Sequence, residues 1–312
     1  MINRTVIRTR IVQILFAFYS DSGKTKFTAQ KELLNSFNDT YNLYFILLDF
    51  IYELTRFAED KQQESVDRAK VMHLDFNPNP RFINNRFAQQ VFENKMLRKR
   101  LEEQKLSWDA AHTYIADAYK LLVESDFYND YLTAAESSYE ADKAVWRKIF
   151  SNVLANQEWL ENALDELEVA LDAKYWTTDV NTILSYVVKT VKRFRQENGA
   201  DQPLLEMFDS ENEIEFAKKL LSVTIEHNDE YEELIAKRLK NWEAERIAFM
   251  DMIILKTAIA EIVAFPEIAM QVSMNEYIEI AKEYSTESSP QFVNGVLDQV
   301  VHDLKNEGKI FK

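Results

Sequence analysis

Two neighbouring stretches, SMNEYIEIAKEY (273–284) and SPQFVNGVLDQVVHDLK (289–305), decide the fold class. Ser273 and Glu276 have the spacing of a capping box, in which a serine at N-cap accepts from N3 and a glutamate at N3 reaches back. Val272 and Tyr277 occupy the matching staple positions. This predicts a helix from Ser273 through Ile278 and Ala281 to about Tyr284. Ser289 at N-cap and Pro290 at N1 then open a last helix over 291–305, since proline at N1 forfeits only an N–H that no helix uses. Gly295 inside that helix costs roughly 1 kcal/mol relative to alanine. Its presence predicts close approach of another helix or of a ligand.

Working outward, 211–239 reads as one or two helices. Residues 245–263 form another, ended by Phe265-Pro266. In the first twenty residues Ile7, Ile11, Ile14, Leu15 and Phe18 form one apolar stripe, and Leu43, Ile46, Leu47, Phe50, Ile51 and Leu54 form a second. Pro78 and Pro80 interrupt the chain. Helical stretches follow over 81–104, 107–125, 127–150 and 152–172. The segment ENGADQP (197–203) has a linker's composition and suggests a boundary near residue 200. Glycine numbers 4 and proline 5 in 312 residues, against averages of ~7% and ~5%. Sheets with tight turns need φ > 0 positions that mostly glycine fills, and a dinucleotide-binding loop needs two or three glycines. The expectation is an all-α fold.

The chain carries a net charge of −15, with 46% hydrophobic residues, a balance that suits a folded, core-burying protein. The absence of cysteine excludes disulfides, thiolate metal sites and cysteine nucleophiles. The basic, then apolar, opening resembles a signal peptide only superficially, because Gln13 interrupts the apolar run and no small-residue cleavage site follows. No apolar run approaches the ~18 residues of a membrane span; the expected location is the cytoplasm. His73, His112, His227 and His302 are scattered without metal-ligand spacing. Ser22-Gly23-Lys24-Thr25 imitates the end of a phosphate loop, but the required first glycine would fall at Phe18. No catalytic motif, cofactor site or metal site is expected. Charge is uneven: residues 106–178 carry 5 basic and 14 acidic side chains, whereas 61–105 carry 10 and 6. General coating of nucleic acid is disfavoured, yet a localised basic patch remains open.

The run from Arg246 through Asp251, Lys256 and Glu261, then Pro266, Val272, Asn275-Glu276, Ile280-Ala-Lys282 and FVNGVLD (292–298), resembles the bacterial NusB family. Its specific part is the spacing VxxNExxxxAK…FVNGVLD. Phe216 to Tyr231 is similar to the family's third helix, and Arg8 to Phe16 to its basic opening helix. The resemblance covers roughly 1–20 and 211–302. Typical members are less than half this length, so residues 1–20 with 205–312 read as the family bundle and 21–204 as a helical insertion.

The resemblance implies a non-enzymatic, RNA-binding antitermination factor. It would pair with a small-subunit ribosomal protein that also serves in transcription, bind boxA-type RNA of nascent ribosomal transcripts, and act on RNA polymerase indirectly. The residues it implies at RNA are Arg4, Arg8, Arg10, Gln13, Phe16, Ser288, Ser289, Gln291, Phe292 and Asn294. Arginine forks suit phosphate, a helix N-terminus suits anions, and exposed phenylalanine suits unpaired bases. No acid in the first twenty residues pairs with the arginines locally, while Phe16 and Phe292 fit core packing as well as stacking. Typical members have a denser arginine cluster and lysine at the position of Gln291. Further cations stand at Arg81, Arg86, Lys95, Arg98 and Arg100, interleaved with Phe82 and Phe87; this pattern fits RNA contact or an ordinary amphipathic helix. The alternatives are a helical protein-interaction scaffold and a ribosome-assembly factor without antitermination activity.

Overall fold

The computed structural model describes residues 1–21, 23–239 and 248–311. In chain order its helices are α1 (Arg4–Ser20), α2 (Lys26–Val71), α3 (Arg86–Phe92), α4 (Lys95–Gln104), α5 (Ile115–Val123), α6 (Asp126–Thr133) and α7 (Tyr139–Ile149). There follow α8 (Glu158–Leu171), α9 (Trp176–Arg193), α10 (Asn212–Glu226), α11 (Asn228–Ala236), α12 (Phe249–Ala264), α13 (Met270–Tyr284) and α14 (Ser289–Asn306). Among the described residues there is no strand, only an isolated bridge between Ile2 and Phe208. The fold is all-α. The chain forms two compact units, Met1–Asn35 with Met207–Lys312, and Ser36–Glu206.

In the first unit α12 is the central rod. Residues 253–262 are buried around its whole circumference, as befits a mostly apolar helix enclosed by others. Helices α1, α10, α11, α13 and α14 pack against it. The stripe of α1 meets it with Ile7, Ile11, Ile14 and Leu15 fully buried; Phe18, at the stripe's end, is half-buried. Arg246 and the expected helix start at Glu245 lie outside the described residues.

Three local expectations are corrected here. Helix α13 begins at Met270, so Ser273 is not an N-cap but a buried residue inside the helix, and Val272 is 47% exposed instead of stapled. The Ser273 hydroxyl donates to the Glu261 carboxylate at 2.7 Å, an acceptor that sequence spacing does not reveal. Helix α14 begins one residue earlier than expected, with Ser289 inside it and Ser288 at N-cap. Gly295 is exposed, and among the described residues a Cβ there would meet nothing within 4 Å, so no close helix approach requires the glycine.

The second unit is organised along α2, whose 46 residues rise about 69 Å and contribute to both units. Leu43, Ile46, Leu47, Phe50, Ile51 and Leu54 are all fully buried. Trp108, Trp146 and Trp176 fill the core of this unit; the Trp108 indole donates to the Ile46 carbonyl at 2.9 Å. The single helix expected over 81–104 is divided, because Asn85 and Asn94 cap α3 and α4 by accepting from the Ala88 and Leu97 amides at 2.9 and 3.0 Å. The stretch 127–150 is likewise broken, with Ser138 capping α7 through the Ala141 amide at 3.1 Å. The linker-like residues 197–203 are fastened within this unit: the Gln202 carbonyl accepts from Asn94 at 2.8 Å, and the Gly199 carbonyl from Gln90 at 2.9 Å.

Asp49 lies buried on α2, with Arg98 at 3.5 Å. Burial pushes its carboxyl up to about 7, against the pull of Arg98 and with the push of Glu53. The unfolded carboxyl ionises near pH 4, so between pH 4 and 7 the folded chain holds the extra proton and rising pH destabilises it. That loss is on the order of 2–4 kcal/mol. Asp49→Asn removes it; the melting temperature of the variant relative to wild type should climb by several degrees between pH 4.5 and pH 8, read by thermal circular dichroism.

Candidate nucleic-acid interface

The residues expected at RNA divide into those the fold consumes and those it leaves at the surface. Arg8 is the clearest case of the first kind. It is 3% exposed, and its guanidinium grips the Glu261 carboxylate with two hydrogen bonds of 2.8 Å. Ser273 and the Tyr277 hydroxyl donate to the same carboxylate at 2.7 and 3.0 Å, and Glu276 approaches Arg8 at 3.3 Å. Burial by itself would lower the Arg8 pKa, but the hydrogen bond and charge of Glu261 outweigh it and raise it. Burial, then the charge of Glu261, holds the Tyr277 phenol well above its ordinary range, so it remains a donor. Arg8 therefore joins α1, α12 and α13 and presents no guanidinium to a transcript. The carboxylates that engage it are distant in sequence, which is why the acid-free first twenty residues suggested an unpaired cation.

Ser289 is consumed in the same way. It is fully buried and donates to Asp251 at 2.8 Å, while Ser285 donates to the other oxygen of that carboxylate at 2.6 Å. Asp251 thus docks the α13–α14 junction on α12. The N-terminus of α14 offers an anion fewer free amides than an ordinary helix start. The Ser289 amide is taken by the Thr286 carbonyl, the Phe292 amide by the Ser288 carbonyl, and Pro290 has no N–H.

Arg4 is half-exposed, but pairs with Glu213 at 3.3 Å and lies 4.8 Å over the Phe216 ring. Arg10 is 1% exposed and donates to Gln13 at 3.0 Å. Phe16 remains 39% exposed and Phe249 48%; their rings meet edge to face at 5.4 Å. Ser288, Gln291 and Asn294 are exposed on the first turns of α14, and Phe292 is half-buried.

Helix α12 provides the ruler for their arrangement. Arg8 meets it at Glu261 and Phe16 at Phe249, so α1 runs antiparallel to it. Asp251, which holds Ser289, lies ten residues before Glu261, about 15 Å along the helix. Phe16 and the start of α14 consequently share one end of α12. Arg4 and Arg8 belong to the opposite end. Phe249 was missed by sequence reading because it opens a run that is apolar on every face and so reads as core.

The second-unit cations that the sequence offered as RNA contacts are engaged within it. Arg81 donates to the Ala134 and Glu136 carbonyls, and Arg86 pairs with buried Asp142 at 2.9 Å. Lys95 pairs with Asp201 at 2.8 Å. Arg98 lies 4.3 Å over Phe92, and Arg100 donates to Asn42 and Asn38 at 3.0 and 2.7 Å. Phe82 and Phe87 are 1% and 0% exposed. The interleaved pattern is that of an amphipathic segment with its rings inward.

Bundle and surface together define, in the first unit, an all-helical bundle built round one buried rod. The family model described as the NusB family matches residues 183–302. The chain belongs to the NusB family. It is 43% identical over 98 residues to the transcription antitermination protein NusB of Salinibacter ruber, covering 31% of this chain and 61% of that protein. It is 39% identical over 98 residues to the protein of that name from Chloroherpeton thalassium, covering 31% and 46%. With the Geobacter sulfurreducens protein it shares 37% over 116 residues, covering 35% and 84%. The chain thus spans less than two thirds of the first two relatives. No solved structure matches it significantly.

Removing Glu261 leaves the buried Arg8 charge and two hydroxyls without their acceptor. Glu261→Gln is expected to cost about 3–5 kcal/mol, measured as a shift of the urea midpoint. Converting the pair together, Arg8→Met with Glu261→Leu, should recover much of that loss.

Proposed function

We propose that the protein is a transcription antitermination factor that binds single-stranded, boxA-type RNA of nascent ribosomal transcripts, together with a small-subunit ribosomal protein. Its role in this reading is binding, not catalysis. The observation that carries it is the exposed Phe16–Phe249 pair at the same end of α12 as the polar start of α14, inside the unit that holds most of the NusB match. Single-stranded RNA is read chiefly by stacking its unpaired bases on aromatic rings and by hydrogen bonds to their edges. Phe16 and Phe249 supply the rings, and Gln291, Asn294 and Ser288 supply uncharged donors and acceptors. Gln291 in place of the family's usual lysine shifts the contact from phosphate attraction towards edge recognition. Arg8 and Ser289 serve as positioning residues, fixing α1 and α14 on α12, and Arg4 adds a half-exposed charge at the far end.

Fluorescence anisotropy with a labelled boxA-type oligonucleotide tests the reading. Loss of one stacked base costs about 1–3 kcal/mol, so Phe16→Ala and Phe249→Ala should each weaken binding about five- to 150-fold at unchanged far-ultraviolet circular dichroism. Adding the ribosomal partner should tighten wild-type binding. Full affinity in both variants would remove the aromatic site.

A further inference from the structure

The second unit carries cations that its own carboxylates do not engage. Lys189, Lys192, Arg193 and Arg195 lie at and just beyond the C-terminal end of α9, all exposed. Among the described residues none of them has an ion-pair partner, in contrast to Arg86, Lys95 and Arg98. Lys192, Arg193 and Arg195 line an open groove of about 860 Å³ beside the start of α7. Two carboxylates line it also, Glu140 and Glu197. Glu140 is paired with Lys143 at 3.0 Å, which leaves Glu197 facing three cations.

Cations in the last turn of a helix commonly serve its dipole. Here that task falls to Lys143, whose buried ammonium donates to the Phe194 carbonyl at 2.9 Å and the Lys192 carbonyl at 3.3 Å. Lys192, Arg193 and Arg195 are left for an external anion, and Lys189, which lies 4.8 Å over the Tyr186 ring, adds its charge one turn earlier. Lys192 and Arg193 stand three and four residues beyond Lys189, so each forms a row with it, Cβ atoms ~5–6 Å apart on the helix surface. Such a row follows an extended phosphate backbone better than a single small anion. Arg193 and Arg195 add forks that take phosphate oxygens in pairs. On a chain of net charge −15 a cation-lined groove of this kind is a local site, not a consequence of overall charge.

We propose that this groove of the second unit binds the phosphate backbone of single-stranded RNA flanking the element held by the first unit. The proposal rests on the RNA-binding reading given above. It assigns the second unit a sequence-independent hold on the transcript, and the first unit the recognition of bases.

The experiment compares the full-length protein with the combined variant Lys189→Gln, Lys192→Gln, Arg193→Gln and Arg195→Gln. Two RNAs are used, an oligonucleotide limited to the boxA-type element and a transcript with added flanking single strand. Each phosphate contact on a single strand contributes about 0.7 to the slope of log affinity against log salt. Losing three or four contacts should flatten the slope for the long transcript by about 2–3 and weaken its binding at least tenfold, with the short RNA unaffected. Phe16→Ala should weaken both RNAs and leave the slope unchanged. If the four-fold variant binds the long transcript as wild type does, or if polyglutamate competes as well as RNA of equal charge, the groove proposal is overturned while the aromatic site stands. If wild type binds neither RNA, the RNA-binding reading itself is overturned, and this proposal with it.

Discussion

The first unit depends on one buried ion pair. Arg8 and Glu261 exchange two hydrogen bonds at 2.8 Å where neither side chain is more than 3% exposed. Two hydroxyls, from Ser273 and Tyr277, complete the carboxylate's shell. A charge pair taken out of water is tolerable only when geometry and additional hydrogen bonds replace what hydration supplied. Here they do, and the requirement is directional: α1, α12 and α13 must each hold one register for all four bonds to form. Hydrophobic burial drives these helices together, but burial along a rod such as α12, enclosed on every face, specifies register weakly. The polar cluster supplies the register.

Asp251 repeats the device two turns and more towards the start of α12. By accepting from Ser285 and Ser289 it ties the α13–α14 connection to the same rod. The two carboxylates thus place both candidate RNA elements, α1 through Glu261 and the start of α14 through Asp251. The polar residues inside the bundle and those on its surface are different sets with different work. Arg8 and Ser289 hold the frame; Phe16, Phe249, Gln291 and Asn294 stay exposed at the surface.

In an acidic protein most cations meet a carboxylate or a carbonyl within their own unit. Arg81, Arg86, Lys95, Arg98 and Arg100 all do so. A basic residue at an exposed helix end without such a partner is therefore more informative than a dense basic segment. By that measure the end of α9 stands out more than the 81–100 stretch, although the latter holds more cations.

Scarce glycine and proline, together with the stripes Ile7–Ile11–Ile14–Leu15 and Leu43 through Leu54, made the all-α class and much of both cores readable from sequence, because helical periodicity is a local property of the chain. The VxxNExxxxAK…FVNGVLD spacing made the family readable too. The capping box at Ser273 misled, since the same serine–glutamate spacing serves equally to point two polar side chains at a buried Arg8–Glu261 pair. The division of 81–104 by Asn85 and Asn94 turned on which asparagine side chain faces a free amide, and spacing does not encode that. Which arginines are free was decided only by tertiary structure. Glu261 lies 253 residues from Arg8, and a charge is neutralised by what is near it in space, whatever its neighbours along the chain. Exposure of Phe249 was decided there as well, for a helix apolar on every face carries no mark of the end that its neighbours leave uncovered.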